Sequence, residues 1–437
     1  MEFKIQDGVL QSCIPYMGES EAVIPEGVTS IGKEAFLECR ELQSIIIPES
    51  VTSIGEKAFS YCSSLRSITI PESVTEIGAK AFFWCRRLQS ITIPESIRRI
   101  AQGLFIGCEA LRHIRLPEQL ESIEKEAFDC SGIESITIPK RIQTIEKATF
   151  LNCRLQSIII PENVTRIRWA AFYECKSLES ITIPETLRSI DYGAFANCEK
   201  LHRISVAPDH PFFTADADVL FDKKQERLIM YPCGKQETHC RIPDGVKKIG
   251  DMAFYECKKL QSVTIPESVT SIGAEAFAFC SSLRSIIIPD SVMRIGKEAF
   301  DWCESLQSIV FRGFVIPAEQ YNPNLLHKDM PKLREMLRTE DYATDIPAAV
   351  KIPVLLTEYR KHQSPKPADW IRQNALEVLR FLIDCGDAAA AAAVLQIENL
   401  PLPRQEVEKA VVLANGGNPE IQMLLMQYLE THSPCGE

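Results

Sequence analysis

A period of 22 or 23 residues constrains this chain more than any other feature. Eleven cysteines, Cys39, Cys62, Cys85, Cys108, Cys130, Cys153, Cys175, Cys198, Cys257, Cys280 and Cys303, recur at that interval with one gap of 59. Phe36, Phe59, Phe82, Phe105, Phe128, Phe150, Phe172, Phe195, Phe254, Phe277 and Phe300 mark a second column in step with them. The period from Leu65 to Cys85 shows what the pattern demands. Ile68 and Ile70 alternate as one face of a short strand, and Leu65 joins them in a core. Pro71 has no amide hydrogen and ends the strand. Val74 and Ile77 open a return path, Gly78 permits a sharp bend, and Ala81, Phe82 and Cys85 suit one helical turn. No single period can bury these residues, so each must stack on its neighbours.

The expected fold is therefore an α/β repeat solenoid, a right-handed superhelix of short parallel strands with convex helical turns. About thirteen rungs at roughly 4.8 Å each give a length near ~60 Å. The I-P-x-x-V-T-x-I-G-x-x-A-F-x-x-C-x-x-L period, carried over about residues 20–312, resembles the BspA-like family of leucine-rich repeats. That resemblance implies a leucine-rich-repeat solenoid used for protein recognition and, in exported members, adhesion to host or matrix proteins. Leu104 and Thr149 depart from it at the Ala before Phe, and Ala101, Glu124 and Glu146 at the Gly. Single deletions fall between Phe128 and Cys130 and between Cys153 and Leu155. Both are expected on the convex side, leaving the strand stack intact.

The array divides the chain into segments. Residues 1–19 form an N-terminal cap around Asp7-Gly8-Val9-Leu10, and 20–205 are repeats. Residues 206–241 are a β-hairpin insertion, in which Val219-Leu220-Phe221 and Leu228-Ile229-Met230-Tyr231 flank a polar connection. Asp218 stands where the family's similar insertion has Gly, a position suited to left-handed backbone. Repeats continue over 242–313. Residues 314–437 lose the period and form an all-α domain, with helices expected near 325–338, 346–362, 369–384, 387–397, 403–414 and 418–431. Ala388 to Ala393 packs closely on a neighbour. Met423, Leu424, Leu425, Met426 and Leu429 form an apolar face after the turn signal Gly416-Gly417-Asn418-Pro419.

Charge and composition narrow the function. A net charge of −11 disfavours a nucleic-acid or anionic-membrane surface. No apolar run reaches the roughly 18–20 residues of a membrane span, and the N-terminus lacks a basic region followed by an apolar stretch. Regularly spaced cysteines read as reduced core thiols, which fits a reducing compartment or an anaerobic exterior. A cytoplasmic location is expected, with the surface by a non-classical route as runner-up.

No nucleotide-binding, hydrolase or metalloprotease motif is present. The histidines are scattered, and Cys233, His239 and Cys240 lack a fourth ligand. Asp216, Asp218 and Asp222 lack the glycine and terminal Glu of a calcium loop. No cofactor, metal or catalytic site is expected. The Glu after Pro recurs (Glu26, Glu49, Glu72, Glu95, Glu118, Glu162, Glu185, Glu267) as a solvated edge, broken by Lys140.

Partner contacts are expected instead. The outward strand face is mostly Ser and Thr, and Arg112, His113, Arg115, His202 and Arg203 stand out against it as basic groups on a concave surface. A second set, which includes Tyr61, Phe83, Tyr173, Tyr255 and Phe279, carries Trp84 and Trp302 on the convex side; Trp and Tyr are favoured hot-spot residues. The function expected is a non-enzymatic scaffold for a protein partner; the alternative is a surface adhesin for a host or matrix protein or glycan.

Overall fold

The computed structural model describes residues 1–14, 18–223, 226–311, 314–318, 322–362, 365–398, 400–414 and 418–432. In most repeats the chain makes two short strands and a run of turns. The first strand is the expected one, as in Ser67–Thr69, where Ile68 is buried between exposed neighbours. It pairs in parallel with Ser90–Thr92 of the next rung. The second strand, Glu76–Ile77, lies on the return path, and its counterparts Ser30–Ile31 and Ser53–Ile54 precede it in one parallel ladder. The solenoid thus has two strand ladders on different sides of its core, which parts into an upstream and a downstream cluster at the insertion.

The expected helical turn is replaced by a third inter-rung ladder. Lys80, Phe82 and Trp84 donate their amides to Gln102, Leu104 and Ile106 of the next rung, at 3.0, 3.1 and 2.7 Å. Ala81, Phe83 and Cys85 donate three residues back, to Gly78, Lys80 and Phe82. Left-handed backbone at Lys80 and Trp84, φ 58° and 57°, turns alternate amides outward and prevents a helix from propagating. Gly78 serves this close stacking rather than a left-handed bend: a Cβ there would sit 2.4 Å from the Glu56 amide nitrogen.

The two sequence columns form the centre. The phenylalanines stack ring on ring, for example Phe59 on Phe82 at 5.4 Å and 4°. Most column thiols donate to the Phe carbonyl of the preceding rung, Cys85 to Phe59 and Cys280 to Phe254 at 3.1 and 3.0 Å. Cysteine therefore fills a small apolar site and also occupies the free lone pair of a buried carbonyl.

Cys130 is the exception. Its backbone is left-handed, its side chain is half-buried, and Ser131 takes the core site beside Cys153 at 3.4 Å. The missing residue lies after Ser131, so Ile133 reaches the Leu position and both deletions occupy the same place in the rung. The strand stack does not pass them undisturbed. Residues 157–160 form no strand, although Ile158 and Ile160 remain buried.

Both termini of the array are covered. Glu2–Gln6 and Val9–Ile14 form an antiparallel hairpin that turns at Asp7 and Gly8, both left-handed, and lays Leu10 against Ile31. At the insertion three strands, Phe213–Asp216, Val219–Asp222 and Arg227–Met230, form an antiparallel sheet, one strand more than expected. Ala217 and Asp218 make its first turn with positive φ. The middle strand is buried along its length: Leu220 packs into the upstream core, and Val219 and Phe221 into the downstream one. Tyr231 takes the vacant place in the Phe column, stacked on Phe254 at 5.2 Å.

At the far end Phe314–Pro317 closes the first ladder by antiparallel pairing with Ser308–Phe311. The described residues then form seven α-helices: α1 (Leu326–Thr339), α2 (Ala348–His362), α3 (Pro365–Gln373), α4 (Ala375–Cys385), α5 (Ala388–Leu395), α6 (Arg404–Ala414) and α7 (Pro419–Thr431). Leu326, Met330 and Leu333 of α1 share the core of the last rungs. The helix expected over 369–384 is two, α3 and α4, separated at Asn374, whose side chain bonds back to the Trp370 carbonyl. Of the face expected on α7 only Leu425 is buried, with Ile421 and Tyr428 beside it; Met423 and Met426 are exposed. Gly416 and Gly417 of the expected turn lie outside the described residues.

Candidate functional site

The outward positions of the first ladder line up by register. His113 lies opposite Ser135, Arg203 opposite Ser180 and His239 opposite Ser262, so all three stand in one column. The column two residues on contains Arg115 and Arg241. The insertion thus returns a second basic rung, His239-Cys240-Arg241, in the positions of His113-Ile114-Arg115. The gap in the period hides that equivalence in the sequence, where His239 and Cys240 draw attention only as metal ligands. Among the described residues no group of three or more His, Cys, Asp or Glu is placed to hold a metal.

The candidate basic residues are exposed but do not form one cluster. His113 Nδ1 meets the Ser135 hydroxyl at 3.0 Å, Arg115 pairs with Glu95 at 3.4 Å, and Arg112 pairs with Glu134. Four rungs further, His202 bonds the Lys200 carbonyl at 3.0 Å, and Arg203 projects from the strand. At roughly 4.8 Å per rung the two groups lie about 19 Å apart. Ion pairs this exposed hold side chains weakly, so Arg112 and Arg115 can exchange Glu for another acceptor at little cost.

The same face also carries exposed apolar groups. In the column of Arg115 and Arg241, Ile46, Ile159 and Ile287 are 63%, 85% and 61% exposed; Thr137 and Thr182 flank Ile159, while Val23 precedes Ile46 and Val310 follows Ile287. An isoleucine so open contributes nothing to the core and is available to a partner. Its signal was in the sequence as Ile replacing Thr at the outward strand position.

Trp84 and Trp302 are separated by nine rung steps, about 40 Å, and form no common patch. Arg86 lies over the Trp84 ring at 4.6 Å, and Trp84 itself covers Gly107. Trp302 is open and stacks on Phe279 at 6.1 Å. Tyr173 and Tyr255, 82 residues apart, are joined by a 3.1 Å hydroxyl bond that ties the two halves of the array across the insertion.

The buried column thiols are poor nucleophiles. Burial holds Cys62, Cys85, Cys175, Cys198, Cys257 and Cys280 protonated well above the usual range, and the half-buried Cys130 is pushed up to about 11. Cys233 lies beside Cys198 and Cys257, extending the column rather than a metal site.

Comparison with known proteins matches the sequence profile of the BspA type leucine rich repeat region to residues 12–130, 121–216 and 231–321. A leucine rich cell surface protein of Faecalibacterium prausnitzii is similar over 70% of this chain and 86% of its own, at 28% identity and TM-score 0.52. A leucine-rich repeat protein of Bacteroides ovatus is 28% identical over 70% of this chain and 91% of its own, at TM-score 0.45. No curated protein matches.

Proposed function

Since this chain belongs to the BspA-type leucine-rich-repeat family, we propose that it is a non-enzymatic scaffold gripping a protein partner on the outward face of its first strand ladder. Exposed isoleucine in register with basic residues carries this reading. Ile159 and Ile287 supply apolar contact, while Arg203, His239 and Arg241 supply hydrogen bonds and charge on the same rigid surface. Trp302 is a secondary contact on another side.

We place this scaffold at the cell surface rather than in the cytoplasm first expected. The Faecalibacterium relative is described as a cell surface protein, and buried thiols suit an oxygen-poor exterior as well as a cytosol. No helix among the described residues is long and apolar enough to cross a membrane.

The test is co-purification from surface-fractionated native cells, with full-length protein and an Ile159→Asp, Arg203→Glu, Ile287→Asp variant. All three side chains are exposed, so the variant should melt within a few degrees of wild type. Proteins captured by wild type and lost from the variant support the reading. Identical capture by both removes this face, and fractionation of the chain with the cytosol removes the location.

A further inference from the structure

The insertion leaves a second, separate feature. On the second-ladder side the sheet ending at Ser189–Ile190 is not continued; Arg227–Met230, third strand of the insertion's sheet, leads into the downstream rungs instead. An open groove of about 650 Å³ runs from this seam along the downstream rungs, with Gly250, Gly273 and Gly296 in its lining. The glycines lack side chains because the rungs leave no space for one: a Cβ on Gly273 would meet the Asp251 nitrogen at 2.4 Å. The groove therefore has a low backbone floor beside a row of longer side chains.

That row is cationic. Arg227 is registered with Lys248, Lys248 with Ser271, and Ser271 with Arg294. Arg227 faces Asp222 at 3.7 Å, yet its Nε is buried with no hydrogen-bond partner. Lys248 and Arg294 are exposed and make no ion pair among the described residues. Like charges registered on adjacent strands destabilise a ladder unless something offsets them. Of the two carboxylates lining the groove, Asp191 is held by residues outside it and Asp251 by a backbone amide within it. Asp191 accepts the Trp169 amide at 3.2 Å and lies 3.9 Å from Arg168, and Asp251 accepts the Ala274 amide at 2.8 Å. Tyr192, exposed at the upstream end, adds an aromatic wall.

We propose that this groove binds an extended acidic peptide segment, its carboxylates paired with Lys248 and Arg294. Three rung steps from Arg227 to Arg294 span roughly 14 Å, the length of about four extended residues. Lys248 and Arg294 stand about 10 Å apart at their strands, within side-chain reach of carboxylates on one face of such a segment. This site lies on the second ladder and is independent of the first-ladder surface proposed above.

The test uses full-length protein and a fluorescein-labelled decapeptide of alternating Glu and Ser, followed by anisotropy at low salt. We expect binding that weakens as salt is raised and at least tenfold loss in Lys248→Glu, Arg294→Glu protein, with Arg203→Glu protein unchanged. If charge reversal disturbs folding, Lys248→Gln, Arg294→Gln protein gives the same comparison. No binding by wild type, or equal binding by the double variant, overturns the proposal. Displacement of the peptide by inorganic phosphate at equal concentration overturns the peptide assignment, because the site then holds any small anion.

Discussion

Stacking thiols in a core gives this solenoid a specific weakness to alkali. Cys62, Cys85, Cys108, Cys175, Cys198, Cys257 and Cys280 are buried, and burial holds each protonated far above the ordinary value of 9.0. In the unfolded chain the same thiols ionise above pH 9. Below that pH both states are protonated and the column has no pH dependence. Above it the unfolded state binds fewer protons, so stability falls as pH rises. At pH 10 each thiol favours unfolding by about 1.4 kcal/mol. The seven together approach about 10 kcal/mol, comparable to the roughly 5–15 kcal/mol that holds a domain together. We therefore expect the denaturant midpoint, followed by circular dichroism, to be nearly flat from pH 7 to 8.5 and to collapse near pH 10. The main rise in thiolate absorbance, from these seven groups, should accompany unfolding and not precede it. Replacing Cys85, Cys108 and Cys175 by Ala should remove about 4 kcal/mol of that pH sensitivity. A midpoint unchanged between pH 8 and 10.5, or a thiolate rise of about seven groups while the fold persists, refutes the reasoning.

Three further outcomes follow from the packing. Phe82→Ala empties a site between Phe59 and Phe105, costing about 4 kcal/mol; amide exchange should rise roughly a thousandfold in rungs 59–128 and not in 254–300, whose core is separate. Uniform acceleration of both halves contradicts two cores. Peptide mapping after brief maleimide treatment at pH 8 should find Cys130 modified ahead of Cys108 and Cys175, and the reverse order contradicts the placement of Ser131 in the core. His210 is buried, accepts the Phe212 and Phe213 amides at 3.1 Å and bonds the Pro184 carbonyl at 3.0 Å. His210→Ala should lower stability by about 3 kcal/mol, measured by chemical denaturation; a change under about 0.5 kcal/mol would mean the insertion does not depend on that residue.

The periodic residues made the solenoid legible because every core position is repeated, so chance resemblance averages out over the rungs. Features that occur once were harder to read. Cys130 looked like a column member by residue type, but its neighbour Ser131 fits the same site, and only the spacing to Ile133 places the deletion. The second ladder is not legible in the sequence because a strand of two residues, such as Glu76–Ile77, has one inward side chain and no alternation. Helical periodicity ran through Asn374 because no Gly or Pro marks the break there. At the first-ladder face, Arg203 and His113 were visible as departures from Ser. His239 and Arg241 were not, since their register depends on how the insertion re-enters the stack. The groove had no local signature at all: it arises where two sheets fail to join, and Lys248 and Arg294 become neighbours only through strand register.

Comparing capture from surface-fractionated cells by wild-type protein and by the Ile159→Asp, Arg203→Glu, Ile287→Asp variant bears most directly on the first ladder as a binding face. We expect the wild type to retain at least one protein that the variant loses, with both forms equally folded. Retention of the same proteins by both would contradict it.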